Sequence, residues 1–480
     1  MTKVLSSIKL NPVLLSVILL LVSTSLTLGI FYYGLPVALL SAIVLIGIPL
    51  VVAIVIYPKF GIIVLLIAAY LIMFIIRIGV DFPLGTLMDG IQLLLILGFF
   101  VSQKINPSYQ KLKNPITLVV VIWVSYNLLQ IANPTAESRL AWLYSIRAVA
   151  IVTIMYFIFL TQIKTVSFIK LIFKIWIGLA FIAALYAFKQ EYIGFFDFEF
   201  KTIDNPLQRS LLFIGGRWRK FSIFSDPVAF SYNMATCATL CMVLIFNTHK
   251  LYKKFILFFL VAVFMMAMLF SGTRGAYVLL PGAIFLLAIL KFNKKILLFS
   301  GASLIFFLIL IFIPTGNQTI QRFQSAFRPS DDASYNLRKI NQKRIQPFIQ
   351  SHPFGGGLGA TGTWGSRFSP NSYLANFPPD SGYVRVAVEL GWMGLFIFCT
   401  FMFVILFTGI KNYYAIKDPE LKNYCLAMTL VVFVLHIGNF PQEALVQFPN
   451  SIYFYLFVAL INVTYILDQQ KQKEILAQKG

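Results

Sequence analysis

The sequence contains little charge, and acidic residues are especially scarce. Of its 480 residues only 12% are charged, with 17 aspartates and glutamates against 39 lysines and arginines, whereas 59% are hydrophobic. A soluble domain of this length could not cover so much apolar surface with so few polar side chains. The composition therefore excludes a soluble domain. It predicts a polytopic membrane protein, because a run of about 20 apolar residues is long enough to span a bilayer.

Cysteine and histidine are also scarce. The four cysteines, Cys237, Cys241, Cys399 and Cys425, all lie inside apolar runs, where a cysteine most simply serves as a small residue in helix packing. The three histidines are scattered, and neither an H-E-x-x-H nor a C-x-x-C motif occurs. We therefore expect no disulfide, no metal site and no cofactor.

Long apolar runs predict about fourteen membrane spans. They lie near 13–33, 36–56, 61–79, 87–102, 116–132, 142–161, 168–188, 227–247, 255–271, 275–290, 296–314, 382–409, 423–438 and 449–467. The first run is long and no small-residue cleavage site follows it, so we interpret it as a retained span rather than a signal peptide. The predicted fold is an all-α, polytopic transmembrane helical bundle. Its parts are helices 1 to 11 (1–314), an extracytoplasmic loop (315–381), and helices 12 to 14 with a cytoplasmic tail (382–480).

Lysine and arginine divide between the two sides of this predicted topology. With the N-terminus in the cytoplasm, every cytoplasmic segment carries at least one lysine, from Lys3 and Lys9 to Lys479, and both termini are inside. All thirteen arginines instead fall on or near the outer side. They are Arg77, Arg139, Arg147, Arg209, Arg217, Arg219, Arg274, Arg322, Arg328, Arg338, Arg344, Arg367 and Arg385.

An outer face that concentrates arginine suggests an anion-binding surface. Lysine is sufficient to set orientation, whereas the planar guanidinium can bind phosphate or carboxylate through two hydrogen bonds. The alternative is that arginines merely reach lipid headgroups, which would explain Arg77. A net charge of +22 would indicate nucleic acid in a soluble protein. In a membrane protein the positive charge first sets the orientation of the chain in the bilayer, and no nucleic-acid partner is expected.

Two of the predicted outer loops are long, at 189–226 and 315–381. The second contains a candidate surface helix at 334–350, which Ser334 can cap, followed by a glycine-rich turn. Within that turn, GLGATG formally matches G-x-G-x-x-G. We reject a dinucleotide site because no strand precedes the motif and no helix clearly follows it. A flexible or close-approach loop is the better interpretation.

Three of four outer stretches place arginine where it could do chemistry. Arg147 lies a turn or two into an apolar span, where a charged residue is costly and often functional. In GGRWRKFSIFSDP a basic cluster stands beside Asp226, a predicted helix cap. In SGTRG two spans are joined so tightly that Arg274 is held rigidly at the membrane face.

The fourth stretch is DSGYVRVAVELG, residues 380–391. Either Asp380 or Ser381 can cap the helix that follows. Arg385 and Glu389 are four residues apart on one helix face and are predicted to pair, so Glu389 is interpreted as structural. Asp380 stays at the lip of the helix, reachable from water.

The motifs R-x-F-S-I-F-S-D-P, S-G-T-R-G-A, H-P-F-G-G-G-L-G and D-S-G-Y-x-x-x-x-x-E-L-G-x-x-G-L together resemble the O-antigen ligase and Wzy-type polysaccharide polymerase superfamily. The resemblance implies an integral-membrane, GT-C-like glycosyltransferase of the bacterial inner membrane. The family's donor is a glycan on polyprenyl pyrophosphate at the outer leaflet, and no nucleotide or metal is needed. The implied partners are an undecaprenyl-pyrophosphate-linked oligosaccharide donor, a glycan acceptor, membrane lipids, a chain-length regulator and a flippase.

By motif position, the resemblance implies that Arg219 and Arg274 stabilise the charge that develops on the leaving pyrophosphate. The remaining predicted substrate-binding residues are Arg147, Arg217, Arg338, Arg344 and Arg385. Ligases of the superfamily have an H-N-x-x-L motif at this position. The present sequence has Asp380 in place of its histidine and Ser381 in place of its asparagine. Asp380 is therefore either the catalytic base or a plain helix cap, and a helix N-terminus would lower its pKa.

The predicted function is polymerisation of lipid-linked repeat units into O-antigen, capsule or exopolysaccharide on the outer face of the inner membrane. Because the histidine of the ligase motif is absent, ligation of polymer to a lipid or protein acceptor is the second candidate function within this class. The alternative from another class is a lipid-linked oligosaccharide flippase or polysaccharide transporter, although no clear internal repeat is visible. A scaffold without chemistry is a third alternative, and it predicts that substituting Arg274 or Asp380 is harmless.

Overall fold

The computed structural model describes residues 12–79, 84–105, 107–214, 216–327 and 333–478. Four of the charged residues used in the topology argument, Lys3, Lys9, Arg328 and Lys479, lie outside the described residues.

Most of the described chain is helical. In chain order the helices are α1 (Pro12–Tyr33), α2 (Leu35–Ile56), α3 (Pro58–Arg77), α4 (Leu84–Ile105), α5 (Pro115–Leu129), α6 (Arg139–Gln162), α7 (Val166–Tyr192), α8 (Asp197–Ile203), α9 (Pro206–Leu212), α10 (Pro227–Asn247), α11 (Leu251–Phe270), α12 (Arg274–Tyr277), α13 (Leu279–Leu290), α14 (Lys294–Phe312), α15 (Gln318–Ser325), α16 (Ala333–Ser351), α17 (Gly362–Phe368), α18 (Gly382–Ala415), α19 (Pro419–Gly438) and α20 (Asn450–Ala477). Short 3-10 helices occur at Tyr109–Leu112 and Gln130–Ala132, and a two-stranded antiparallel hairpin pairs β1 (Phe213–Ile214) with β2 (Arg217–Trp218).

Each predicted apolar run falls on a helix, or on the pair α12 and α13 in the case of 275–290. Within the described ranges, eleven helices are long and apolar enough to cross a membrane. Three further apolar stretches are shorter, at Leu20–Tyr33, Val44–Ile56 and Arg274–Leu290. The all-α, polytopic class is confirmed, while the total number of spans stays a prediction.

Helices α10, α19 and α20 form the centre of the bundle, where most residues of their apolar stretches are buried. Helix α10 packs against α11 and α19, and α20 packs against α6 and α19. Small residues such as Ala235 and Ala238 on α10 allow this close approach. Three of the four cysteines are buried in the packing as predicted, whereas Cys399 faces outward.

Both long loops contain more structure than their sequences indicated. The first, 189–226, holds α8, α9 and the β-hairpin, and the second, 315–381, holds α15, α16 and α17. The predicted surface helix at 334–350 coincides with α16, which begins at Ala333. A capping residue precedes the helix, whereas Ser334 lies inside the first turn. The prediction that Ser334 caps this helix was therefore wrong.

The glycine-rich loop that follows α16 docks against a kink in α18. The Gly356 and Gly357 N–H groups donate to the carbonyl oxygens of Val388 and Glu389, at 2.9 and 2.8 Å. Gly391 is left-handed (φ 72°), and a Cβ there would lie 2.0 Å from the Pro353 carbonyl oxygen. The close-approach interpretation is confirmed. For the GLGATG motif, a helix does follow the loop, namely α17. No strand precedes the loop within residues 333–378, all of which are described.

Candidate active site

A polar cavity of about 410 Å³ opens at the end of the bundle where α10 and α18 begin and α19 ends. Four arginines and three carboxylates line it, and we call it the arginine cavity. They are Arg219, Arg274, Arg322 and Arg338, with Asp226, Asp380 and Glu443. These side chains come from seven separate positions in the chain, so the cavity exists only in the folded protein.

The S-G-T-R-G motif forms the tight turn that places Arg274 at the cavity wall. The Ser271 hydroxyl accepts a hydrogen bond from the Thr273 N–H at 3.1 Å. Gly272 adopts a left-handed conformation (φ 60°) that a side chain would disfavour. Helix α12 then begins at Arg274. The turn fixes where this arginine leaves the backbone, as the sequence predicted.

Arg219 holds the same turn from the opposite wall. Its Nε donates to the Ser271 carbonyl oxygen and its Nη2 donates to the Thr273 hydroxyl, both at 2.9 Å. The Thr273 hydroxyl donates in turn to the Pro227 carbonyl oxygen in the first turn of α10 at 3.1 Å. One guanidinium therefore orients the turn relative to the start of α10.

The charge in this wall is predominantly positive. Burial, followed by the nearby Arg322, lowers the pKa of Arg219 to about 10, so the side chain remains protonated at neutral pH. Arg322 itself contacts the turn through the Gly272 carbonyl oxygen, at 3.4 Å from its Nε. Cations held this close repel each other, and an anion between them would relieve that repulsion.

Asp226 is a helix cap, as predicted. Its Oδ1 accepts from the N–H groups of Val228 and Ala229 at 2.8 and 2.9 Å, and its Oδ2 accepts from the Ser225 hydroxyl at 2.7 Å. Both carboxylate oxygens are engaged in holding the start of α10. Of the three carboxylates in the cavity, this one is committed to structure.

Asp380 lies at the mouth of the cavity and is not the helix cap. Ser381 occupies the cap position of α18, with the Val384 N–H 3.5 Å from its hydroxyl. The Asp380 Oδ2 lies 3.8 Å from Nε of Arg338. Burial raises the pKa of Asp380, and Arg338 lowers it by a smaller amount. The expectation of a lowered pKa was wrong, because the carboxylate does not accept from the helix N-terminus.

Arg385 and Glu389 form the predicted i, i+4 pair, with Nε and Oε1 3.1 Å apart. Arg385 also donates to Oε2 of Glu443 at 2.7 Å. Glu389 accepts hydrogen bonds from the Gly359 N–H and the Thr361 hydroxyl. The structural interpretation of Glu389 therefore agrees with its geometry, because this side chain joins the glycine loop to α18. Arg385 is bound by two carboxylates, of which Glu443 lines the arginine cavity.

Of the five predicted substrate-binding arginines only Arg338 lines the arginine cavity, and besides Arg385 three others do not. Arg147 pairs with Asp89 of α4 at 3.1 Å, and Arg344 is exposed on α16. Arg217 is bonded to Glu191 and Thr319 and faces a neighbouring cavity of about 340 Å³. That second cavity shares Arg219 and Arg322 with the first.

The interpretation that Arg77 reaches lipid headgroups was wrong. Its guanidinium donates to the carbonyl oxygens of Ser222 and Phe224, at 3.2 and 2.7 Å, and lies 4.1 Å from the centre of the Phe221 ring. This arginine holds the segment that leads into α10.

Sequence reasoning did not place Arg322 or Glu443 in the site. In the sequence Arg322 stands out only as one of thirteen outer arginines, and none of the motifs contains Glu443. The signal for Glu443 was its rarity, since the chain has only 17 acidic residues and this one stands between the last two spans. Burial raises the pKa of Glu443, and its partner Arg385 lowers it.

The fold and the cavity define a class: a multi-pass helical membrane protein with a polar, arginine-lined site at one end of its bundle. Residues 256–399 match the family model Wzy_C, described as O-antigen ligase. The resemblance recognised from the motifs is thereby confirmed for this segment, since residues 256–399 are similar to the O-antigen ligase family. The matched segment contains Arg274, Arg338 and Asp380. Among curated proteins, none matches the chain.

Proposed function

We propose that this protein transfers glycans from a polyprenyl-pyrophosphate donor and polymerises lipid-linked repeat units. The observation that carries the proposal is the convergence of four arginines with the weakly paired carboxylate of Asp380 in one cavity. The family match supports a membrane enzyme that acts on a lipid-linked glycan donor and an acceptor.

The chemistry that these groups can support is a single displacement. The acceptor hydroxyl attacks the anomeric carbon of the donor sugar, and the bond from that carbon to the phosphate oxygen breaks. The electron pair of that bond leaves with the pyrophosphate, where Arg219 and Arg274 stabilise the developing charge. Asp380 accepts the proton from the acceptor hydroxyl, and its raised pKa makes it a stronger base than an exposed aspartate.

The distribution of charge supports a site on the outer side of the inner membrane. Arg385 near the start of α18 lies at the cavity end, whereas Lys411 near its far end lies at the opposite end. By the positive-inside rule we propose that the lysine-bearing end, with both chain termini, faces the cytoplasm. A lipid-linked substrate in the outer leaflet would then meet the arginine cavity. A chain-length regulator and a flippase are proposed as partners on the basis of the family alone.

The test uses purified protein in lipid nanodiscs with undecaprenyl-pyrophosphate-linked repeat units and no nucleotide. We expect a ladder of longer glycans and release of undecaprenyl pyrophosphate. Arg274→Ala should lose both, while the matched control Arg367→Ala, on exposed α17, should retain them. A full ladder from Arg274→Ala would contradict the leaving-group role, and a full ladder from Asp380→Asn would contradict the base.

Ligation is the second candidate, because the matching family model is described as O-antigen ligase. Its test adds the outer lipid of the producing cell as acceptor. Pyrophosphate release that depends on this acceptor, without a ladder in its absence, would favour the ligase. Movement of the lipid-linked substrate across the bilayer, without any release, would instead favour a flippase.

A further inference from the structure

A second pocket lies beside the glycine loop, separate from the arginine cavity. It has a volume of about 160 Å³ and is bounded by the turn before α6, the C-terminal part of α16, the glycine loop, and residues 369–374. We call it the glycine-loop pocket. It has no part in the displacement described above.

The pocket combines an aromatic wall with hydroxyl and carboxylate groups. The rings of Phe348 and His352 stack with centroids 4.0 Å apart, and Tyr373 lies 6.2 Å from Phe348 with 57% of its surface exposed. Glu137 and Ser369 contribute polar groups to the lining. A polyhydroxylated ring can pack an apolar face on aromatic side chains while its hydroxyls bond to such polar groups.

The charge of this pocket differs from that of the arginine cavity. Its described lining residues include neither arginine nor lysine, and Glu137 contributes the carboxylate. Phosphate binding relies on cationic side chains or on clustered N–H donors. The Gly356 and Gly357 N–H groups at the floor are already bonded to carbonyl oxygens of α18. The pocket therefore suits a neutral sugar rather than a phosphate.

Glycine is required for the pocket to have this shape. A Cβ on Gly356 would lie 2.1 Å from Cδ1 of Leu374, and a Cβ on Gly357 would lie 2.6 Å from the Ala136 side chain. The two glycines thus let the neighbouring segments close onto the loop. The floor is fixed by backbone hydrogen bonds, so the pocket is formed before any ligand arrives.

Helix α16 joins the two sites. Arg338 lines the arginine cavity and Phe348 lines the glycine-loop pocket, ten residues further along the helix. At a rise of about 1.5 Å per residue they are separated by about 15 Å along the helix axis. A glycan of several sugar units could span this distance from its reacting end.

We propose that the glycine-loop pocket is a sugar subsite, which binds one neutral ring of the glycan several units away from the reacting sugar. This assignment rests on the proposed glycan transfer. Tyr373 is the main specificity residue of the subsite, because its exposed ring is available to the sugar face. The subsite makes binding depend on glycan length, since a short glycan cannot reach it from the arginine cavity.

The test is photo-crosslinking to the full-length protein in nanodiscs. The probe is the repeat-unit oligosaccharide released by mild acid, used in one-repeat and two-repeat lengths and carrying a diazirine at its non-reducing end. Mass spectrometry locates the adducts. We expect adducts within residues 369–374 and 348–352, reduced about tenfold in Tyr373→Ala, in line with the contribution of an aromatic contact. Tyr373→Phe should retain them, as should Tyr335→Ala, an exposed tyrosine on α16 that lines neither site.

Kinetic measurements distinguish failure of the sugar subsite from failure of the proposed glycan transfer. Tyr373→Ala should raise the KM for the lipid-linked two-repeat substrate about tenfold with kcat unchanged. Arg274→Ala should lose turnover but keep the crosslink. Adducts confined to the arginine cavity, or undiminished in Tyr373→Ala, would overturn the subsite. A crosslink in the pocket without any glycan transfer by wild-type protein would instead refute the function and leave the subsite in place.

Discussion

Replacing Arg219 by lysine tests whether the arginine cavity needs the hydrogen-bonding geometry of the guanidinium or only its positive charge. Arg219 uses three nitrogens: two bond to the Ser271–Thr273 turn at 2.9 Å, and Nη1 bonds to the Leu211 carbonyl oxygen at 3.3 Å. A lysine has one nitrogen, so two of these contacts are lost in Arg219→Lys. Each hydrogen bond from a charged group contributes about 1.5–3 kcal/mol, and the expected loss of local stabilisation is about 3–6 kcal/mol.

The expected result is a fall in kcat of about 10²–10³-fold for Arg219→Lys. About 3 kcal/mol corresponds to about 10²-fold in rate, and loss of one preorganised oxyanion donor has a similar effect. Thr273→Val removes the hydroxyl that accepts from Arg219 and donates to Pro227 but leaves the guanidinium in place, so we expect a smaller fall of about tenfold. Because both substitutions act on the contact between residues 219 and 273, we expect the losses in the double variant to be less than additive.

The assay is single-turnover release of undecaprenyl pyrophosphate from a labelled donor in nanodiscs, with Arg367→Lys as the control on exposed α17. The thermal unfolding midpoint of each variant shows whether the bundle is intact. A kcat like that of wild type in Arg219→Lys would refute the geometric argument. Additive losses in the double variant would show that Arg219 and Thr273 do not act through their mutual contact.

Three further perturbations follow from the structure. Asp380 must be deprotonated to act as a base, so kcat/KM should fall as pH drops through its raised pKa; Arg338→Gln removes a cation that lowers this pKa, and the acidic limb of the pH–rate profile should move to higher pH. Glu389→Gln breaks a buried ion pair, and thermal unfolding should report a destabilisation of about 3–5 kcal/mol. Gly391→Ala would place a Cβ 2.0 Å from a carbonyl oxygen, so little folded protein should be recovered by size-exclusion chromatography, whereas Gly301→Ala, with no atom within 4 Å, should behave as wild type.

The helices were predictable because most apolar runs are long enough to span a membrane and some begin with local signals that the structure uses. Asp226 followed by Pro227 starts α10, and Ser381 starts α18. The seven-residue helices α8 and α9 and the two-residue strands were not predictable. Elements this short draw their stability from contacts with distant segments, as when Trp218 packs against Phe195.

The candidate site was predictable where an arginine is fixed by its own turn, and less so where its direction depends on the partner it meets. Arg274 directly follows its tight turn and lies in the cavity. Arg147 instead pairs with Asp89, which is far away in sequence. Arg338 and Arg344 are six residues apart, which on an α-helix is a rotation of about 240°, so only one can face the cavity. The sequence alone does not say which one.

The way the glycine loop is attached has a consequence for how such a protein can diversify. Its N–H groups bond to backbone carbonyl oxygens of α18, and side chains outside the loop, Glu389 and Asn133, bond to its backbone. The attachment therefore specifies little about the exposed side chains of residues 369–374, such as Tyr373, whereas Leu374 is fixed by its packing against Gly356. The exposed positions can be exchanged, by selection or by design, to accept a different sugar while the arginine cavity stays unchanged.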